Sequence, residues 1–207
     1  MLLIWGWRSL LKVLGVGEFH CPNCGVDRAY SLVRPRRWFT FFFIPVIPLA
    51  WGETFVECQA CKGAYRENVL TLPTSRQFSY MLALAARAFY AKIVAAAFLH
   101  DESMIERAAE GLRPFGGAGY NEANVIADVE GFRGHALAEY LAPFAEQATT
   151  EAKEAVLASA AWYAYADGDC PPEVSEVLTE GGMILGLSAA HTAGVIATAA
   201  AAHRNSA

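Results

Sequence analysis

From Thr74 to the C-terminus apolar residues recur every three to four positions, whereas before Thr74 they do not. Phe78, Leu82, Ala85, Phe89 and Ile93 fall on one face of a helix, so residues 75–100 are expected to form one long helix. A second helix is expected over 104–112, ended by Pro114 and the Gly116-Gly117 pair. Asn121 is placed to cap a helix over 122–131, and helices over 136–147 and 151–167 follow, the latter capped by Thr150. Pro171-Pro172-Glu173 opens another helix. Proline suits the first turn, where a missing N–H breaks no bond, and the helix dipole favours an acid there. Ser188 caps a last, alanine-rich helix reaching His203. This half therefore reads as about seven helices with no strand.

The first seventy residues follow a different pattern. Tyr30–Val33, Trp38–Ile44 and Thr54–Glu57 are rich in aromatic and β-branched residues, with Gly52 as a turn before the last run. They are expected to form a small antiparallel sheet. Trp38–Ala50 (WFTFFFIPVIPLA) is apolar, but it is too short and too broken by Pro45 and Pro48 to span a bilayer. Residues 78–99 are long enough to span, yet they carry Arg87 and Lys92, each costly in lipid. Integral membrane insertion is therefore not expected, while peripheral contact through Met1–Trp7 (MLLIWGW) stays open.

Composition sharpens the division. The chain has 207 residues, 55% hydrophobic and 18% charged, so it has ample material for a core. Its net charge of −5 hides an asymmetry: residues 1–70 carry eight basic and five acidic side chains (+3), the remainder eight and sixteen (−8). The sign changes near Leu70–Thr74, around Pro73, which places one domain at 1–70 and another at 74–205. Within Met1–Leu14 the basic residues follow apolar ones, the wrong order for a secretory signal, so a cytoplasmic location is expected.

Four of the five cysteines form two pairs, Cys21-Pro22-Asn23-Cys24-Gly25 and Cys58-Gln59-Ala60-Cys61-Lys62-Gly63. Thiolates this close in sequence share one ion only if the chain turns tightly, and the glycine after each pair is expected to supply the positive φ. Two such knuckles make a tetrahedral four-sulfur shell, the usual closed structural zinc site. Disulfides and redox-active CxxC pairs are the alternatives. A redox pair would open a helix, and here a strand-like run follows Cys24. His20 abuts Cys21 but is not needed to complete the shell. A sheet this small has little core, so zinc binding is expected to supply its folding free energy. Residues 1–70 also resemble a zinc-ribbon family of bacterial and fungal proteins. The likeness rests on Gly6-Trp7, Cys21–Gly25, Trp38–Pro48 (WFTFFFIPVIP), Cys58–Cys61 and Tyr65. It implies a zinc-ribbon fold and no particular activity.

In the helical half, Ala166-Asp167-Gly168-Asp169 and then Glu173 bring three carboxylates into one short turn. Hard cations such as Ca2+ or Mg2+ take such ligands, but three carboxylates fall short of a calcium shell, and helix capping accounts for the same residues. Residues 150–195 resemble the TerB-like, tellurite-resistance-associated family through Ala160-Ala161, Ala166-Asp167-Gly168, Pro171-Pro172-Glu173 and Leu185-Gly186-Leu187-Ser188. That resemblance implies an all-α fold in which the acidic turns are implicated in metal binding. A second copy of the unit would fall at Ala95–Glu106, where His100-Asp101-Glu102 lacks the glycine.

Arg34, Arg36 and Arg37 precede Trp38, a mixture that binds single-stranded nucleic acid by charge and stacking, or simply stays solvated. The run WFTFFFIPVIPL is more apolar than a small sheet can hide, so it is a candidate docking surface for the second domain or a protein partner. Cys170 reads as a small residue at a helix start, and His135 and His191 have no recognisable partner. Gly116-Gly117-Ala118-Gly119 follows no strand and lacks the lysine of a phosphate loop. The expectation is an α+β, two-domain, non-enzymatic metal-binding scaffold or interaction protein, related to stress or tellurite resistance. A nucleic-acid-associated zinc ribbon is the second reading. A metal-dependent hydrolase using Asp167, Asp169 and Glu173 is the third, weakened because no nucleophile or base accompanies them.

Overall fold

The computed structural model describes residues 5–41, 44–97, 102–117, 119–165 and 170–206. An antiparallel sheet comes first and seven helices follow among the described residues, an α+β arrangement. The chain divides into two compact units, Met1–Gln77 and Phe78–Ala207.

In the first unit, β1 (Trp5–Cys21) and β2 (Val26–Phe41) form a long hairpin whose turn is the first cysteine knuckle. The other edge of β2 pairs with β4 (Phe55–Cys58) through Tyr30–Val33 and with β3 (Ile44–Trp51) through Arg36–Phe41. A short β5 (Ala64–Tyr65) completes the end nearest the cysteines. The sheet is thus a ribbon: β1-β2-β4-β5 at the cysteine end and β1-β2-β3 at the far end.

Two features differ from expectation. Tyr30–Val33 and Trp38–Ile44 are not separate strands, because β2 runs through the arginines between them. Pro35 does not interrupt it. Its carbonyl accepts from the Gly52 N–H (2.8 Å), so its ring nitrogen faces that same side, in the gap between the β3 and β4 ladders, and breaks no bond to β1. The apolar N-terminal stretch also becomes a strand. Its alternation is blurred because apolar side chains stand on both of its faces: Trp7, Leu11 and Val13 on one, Leu10 on the other. β3 tolerates Pro45 and Pro48 because it is an edge strand.

The core of the ribbon is small. Phe19, Val56 and Val69 cluster there with Cys21 and Cys58, and Val33 of β2 is buried outside that cluster. Phe19 meets Tyr30 edge-on at 5.6 Å and Tyr65 at 5.9 Å.

The second unit has a full-sized core. α1 (Ser75–Ala96) buries Ala85, Phe89 and Ile93 as the periodicity expects. α2 (Glu102–Gly116), α3 (Glu122–Gly131), α4 (Ala138–Gln147), α5 (Thr150–Ala164), α6 (Pro172–Ile184) and α7 (Ala189–Ser206) follow. α2 runs on through Pro114 instead of ending there, and α5 is capped by Thr149, one residue earlier than expected. Asn121 caps α3 in a reciprocal capping box with Asn124, and the Ser188 hydroxyl accepts from the His191 N–H. α6 lies close to α1: a Cβ built on Gly181 would sit 2.2 Å from the Phe89 ring.

With the 3-10 turn before it, α1 is the one helix among the described residues long and apolar enough to cross a membrane. Its Arg87 is not orphaned. The guanidinium grips buried Asp128 of α3 with two bonds (2.8 and 2.5 Å), and Tyr120 donates to the same carboxylate.

Candidate metal centre

Each pair of cysteines straddles a strand end. Cys21 closes β1, Cys24 lies in the hairpin turn, Cys58 closes β4, and Cys61 lies in the turn before β5. Cys21 and Cys58 are fully buried. Both knuckles close with the same backbone bond: Gly25 N–H donates to the Cys21 carbonyl, and Lys62 N–H to the Cys58 carbonyl, each at 2.9 Å.

The residue making that bond needs a positive φ. In the first knuckle it is Gly25 (φ +66°), as expected. In the second it is Lys62 (φ 60°) and not Gly63, which corrects the sequence reading. Gly63 is needed for closeness instead, since a Cβ there would lie 2.7 Å from the Tyr65 hydroxyl.

The four Sγ atoms all lie within 4.8 Å of one another. A zinc–sulfur bond of about 2.3 Å in a tetrahedron separates its sulfurs by about 3.8 Å. The Cys21 and Cys61 sulfurs are 3.7 Å apart. No disulfide links the cysteines, so the donor set is four sulfurs in two turns, which suits a closed zinc site.

Local electrostatics prepare the sulfurs unequally. The Gly63 backbone N–H, with help from Asn23, brings the Cys61 thiol down to about 6. Burial works against ionisation of Cys21, but bonds from the Tyr65 hydroxyl and from the Cys24 and Asn23 backbone still leave its pKa lowered. Cys24 goes the other way, pushed up to about 12 by burial and by bonds to the neighbouring thiols. Thiolates this close repel unless a cation lies between them. The Tyr65 hydroxyl, 3.5 Å from Cys21 and 3.9 Å from Cys61, has its pKa raised by its bond to Cys21 and by burial, so it acts as a donor to sulfur.

The nearby His20 faces away from the sulfurs: its Nδ1 meets Asp27 (3.3 Å) and Ser75 (3.0 Å). Asp27, which the sequence reading missed, accepts from the Ser75 N–H (2.9 Å) and the Arg76 N–H (3.3 Å) at the start of α1.

The other candidates fare differently. Asp167 and Asp169 lie outside the described residues, and Glu173 is exposed in the first turn of α6. Among the described residues, the four cysteines are where metal-ligating atoms converge. Half-buried Cys170 has its pKa raised by burial, and its thiol donates to the Pro171 carbonyl. Arg34, Arg36 and Trp38 share one face of the ribbon and Arg37 the other. Trp51 and Lys12, not singled out from sequence, join that first face: Lys12, Arg34 and Arg36 all stand over the Trp51 ring, at 5.9, 5.4 and 4.6 Å.

Residues 19–86 match the zinc-ribbon family, about a third of the chain. The match takes in all four cysteines and leaves β1 before Phe19 and most of the helical unit outside. No curated protein and no solved structure matches the chain.

Proposed function

We propose that this chain is a non-catalytic scaffold in which one structural zinc ion, held by Cys21, Cys24, Cys58 and Cys61, clamps the base of a ribbon displayed for binding. The carrying observation is the convergence of four sulfurs at one end of a sheet whose own core is four apolar side chains. A sheet with so little core needs a staple, and a four-thiolate zinc site is one. The closed four-sulfur shell leaves no open position for substrate, which argues against a catalytic zinc. The helical unit's likeness to TerB-like proteins, with any stress or tellurite role, belongs to this proposal and rests on the residues of 150–195 alone.

Native mass spectrometry of the reduced, purified chain tests the reading. One zinc per chain, lost in a Cys61→Ser variant, is the expected result. A folded, reduced protein that binds no zinc overturns it. The same spectra taken with added calcium count any second ion.

A further inference from the structure

The ribbon is zoned along its length. Glu18, Asp27 and Glu57 sit towards the cysteine end, while Glu53, next to the Gly52 that bonds Pro35, stands level with Arg34 at the near edge of the basic band. Next come five cations, Arg8, Lys12, Arg34, Arg36 and Arg37, and neither 5–14 nor 34–51 contains an acid. No carboxylate among the described residues pairs with any of the five. Lys12 and Arg34 even stand directly opposite each other across β1 and β2, a like-charge pairing that costs stability.

Beyond Arg8 and Trp38 the far end carries no charge. Three more cross-strand pairs, Trp7–Phe39, Gly6–Thr40 and Trp5–Phe41, lead to the end of the hairpin, with β3 alongside. Thr40 is buried there and Phe39 half-buried, while large apolar side chains stand exposed: Trp7 (65%), Ile44 (65%), Val46 (56%) and Ile47 (52%). At about 3.3 Å per residue this uncharged end extends about 10 Å past the cations.

We propose that the far end of the ribbon docks on an anionic phospholipid bilayer, with the uncharged tip in the interface and the cations at the lipid phosphates. The depth matches that of proteins that lie in the interface, roughly 5–10 Å. Trp38 and Trp51 sit at the level of the cations, where indoles favour the boundary between headgroup and hydrocarbon. The open edges of β1 and β3 carry unpaired backbone groups, so the tip stops at the interface and does not span. Nucleic acid is the weaker occupant. It would use the Arg–Trp face but leave the aliphatic Ile44, Val46 and Ile47 in water.

This inference rests on the scaffold reading above, and zinc content separates the two. Metal is counted first, so a chain without zinc fails the earlier proposal before any vesicle is added. The zinc-loaded full chain is then floated with phosphatidylcholine vesicles, with and without phosphatidylserine. Binding is expected only to the anionic vesicles and to weaken with salt. Each lost cation should lower it about five-fold, so Arg8→Glu/Arg36→Glu/Arg37→Glu should lower it at least a hundredfold. Ile44→Asp/Ile47→Asp should abolish it with one zinc still bound. A zinc-loaded chain that ignores anionic vesicles overturns the proposal. So does a chain that binds a single-stranded oligonucleotide in preference to the vesicles, with the Ile44→Asp/Ile47→Asp variant unaffected.

Discussion

Removing zinc should unfold the ribbon and leave the helical unit standing. The four buried apolar side chains of the ribbon, Phe19, Val33, Val56 and Val69, contribute about 1.5–3 kcal/mol each. Their sum, about 6–12 kcal/mol, lies mostly below the roughly 10–16 kcal/mol apparent for structural zinc in small zinc peptides. Cys21 and Cys58 are themselves buried core, so losing the ion also turns packed ligands into crowded thiols. The helical unit has its own core, with Phe89, Ile93, Leu141, Phe144, Leu157 and Leu178 fully buried, and it owes nothing to sulfur. The assay is hydrogen exchange read peptide by peptide, before and after a strong chelator under reducing conditions. Amides of β1, β2 and β4 should lose protection together, while those of α1, α5 and α6 keep theirs. Protected β2 amides after complete zinc removal would refute the claim that the ion outweighs the core.

The two knuckles give a matched pair of substitutions. Gly25→Ala forces a Cβ into a left-handed conformation with no clash, so it should cost about 1 kcal/mol by conformation alone. Lys62→Gly removes that strain and gives up an exposed ion pair with Glu57, so zinc-bound stability should hold or rise, read as the chelator concentration at half-release. Asp128→Ala leaves Arg87 and Tyr120 without their shared carboxylate and should cost about 2–3 kcal/mol in urea unfolding of the helical signal. Glu139 accepts from the Ala136 N–H and from His135, and the first of these leads in holding its pKa down. A depressed carboxylate pKa stabilises above the unfolded value of about 4.3 and is lost as pH falls through the folded one. Glu139→Gln should therefore flatten the acid side of the pH–stability curve of the helical unit.

The helices were legible because they bury apolar residues at helical spacing and several start or stop on a residue with a chemical signature. Asn121, Ser188 and the Pro171-Pro172 start all announce their helix ends. Where the signals were ambiguous, boundaries moved: Pro114 sits inside the last turn of α2, and Thr149 won the cap from Thr150. The zinc knuckles were legible because four cysteines at that spacing have few other uses. Their inner geometry was not, because a glycine and a lysine take the same backbone shape at equivalent positions, and only the coordinates say which residue bears the strain.

The ribbon was the least legible part, and the reason bears on what it does. Period-two alternation is visible when one face is buried and the other wet. In β1 and β2 beyond Val33, one face carries Trp7, Leu11, Val13 and Phe39 but also Arg37, and the other carries Arg8, Lys12, Arg34, Arg36 and Trp38 but also Leu10. Neither face reads as core or as simple solvent, so the alternation of polarity is blurred and the usual meaning of burial is lost. Residues selected only to make a stable sheet would not set Lys12 against Arg34 or gather three cations over one indole. That arrangement costs folding energy within the chain. An anionic surface facing it would recover that energy, whereas removing the cations should make the isolated ribbon more stable. A Lys12→Thr variant that is more stable to heat yet weaker on anionic vesicles would place the purpose of this face outside the fold.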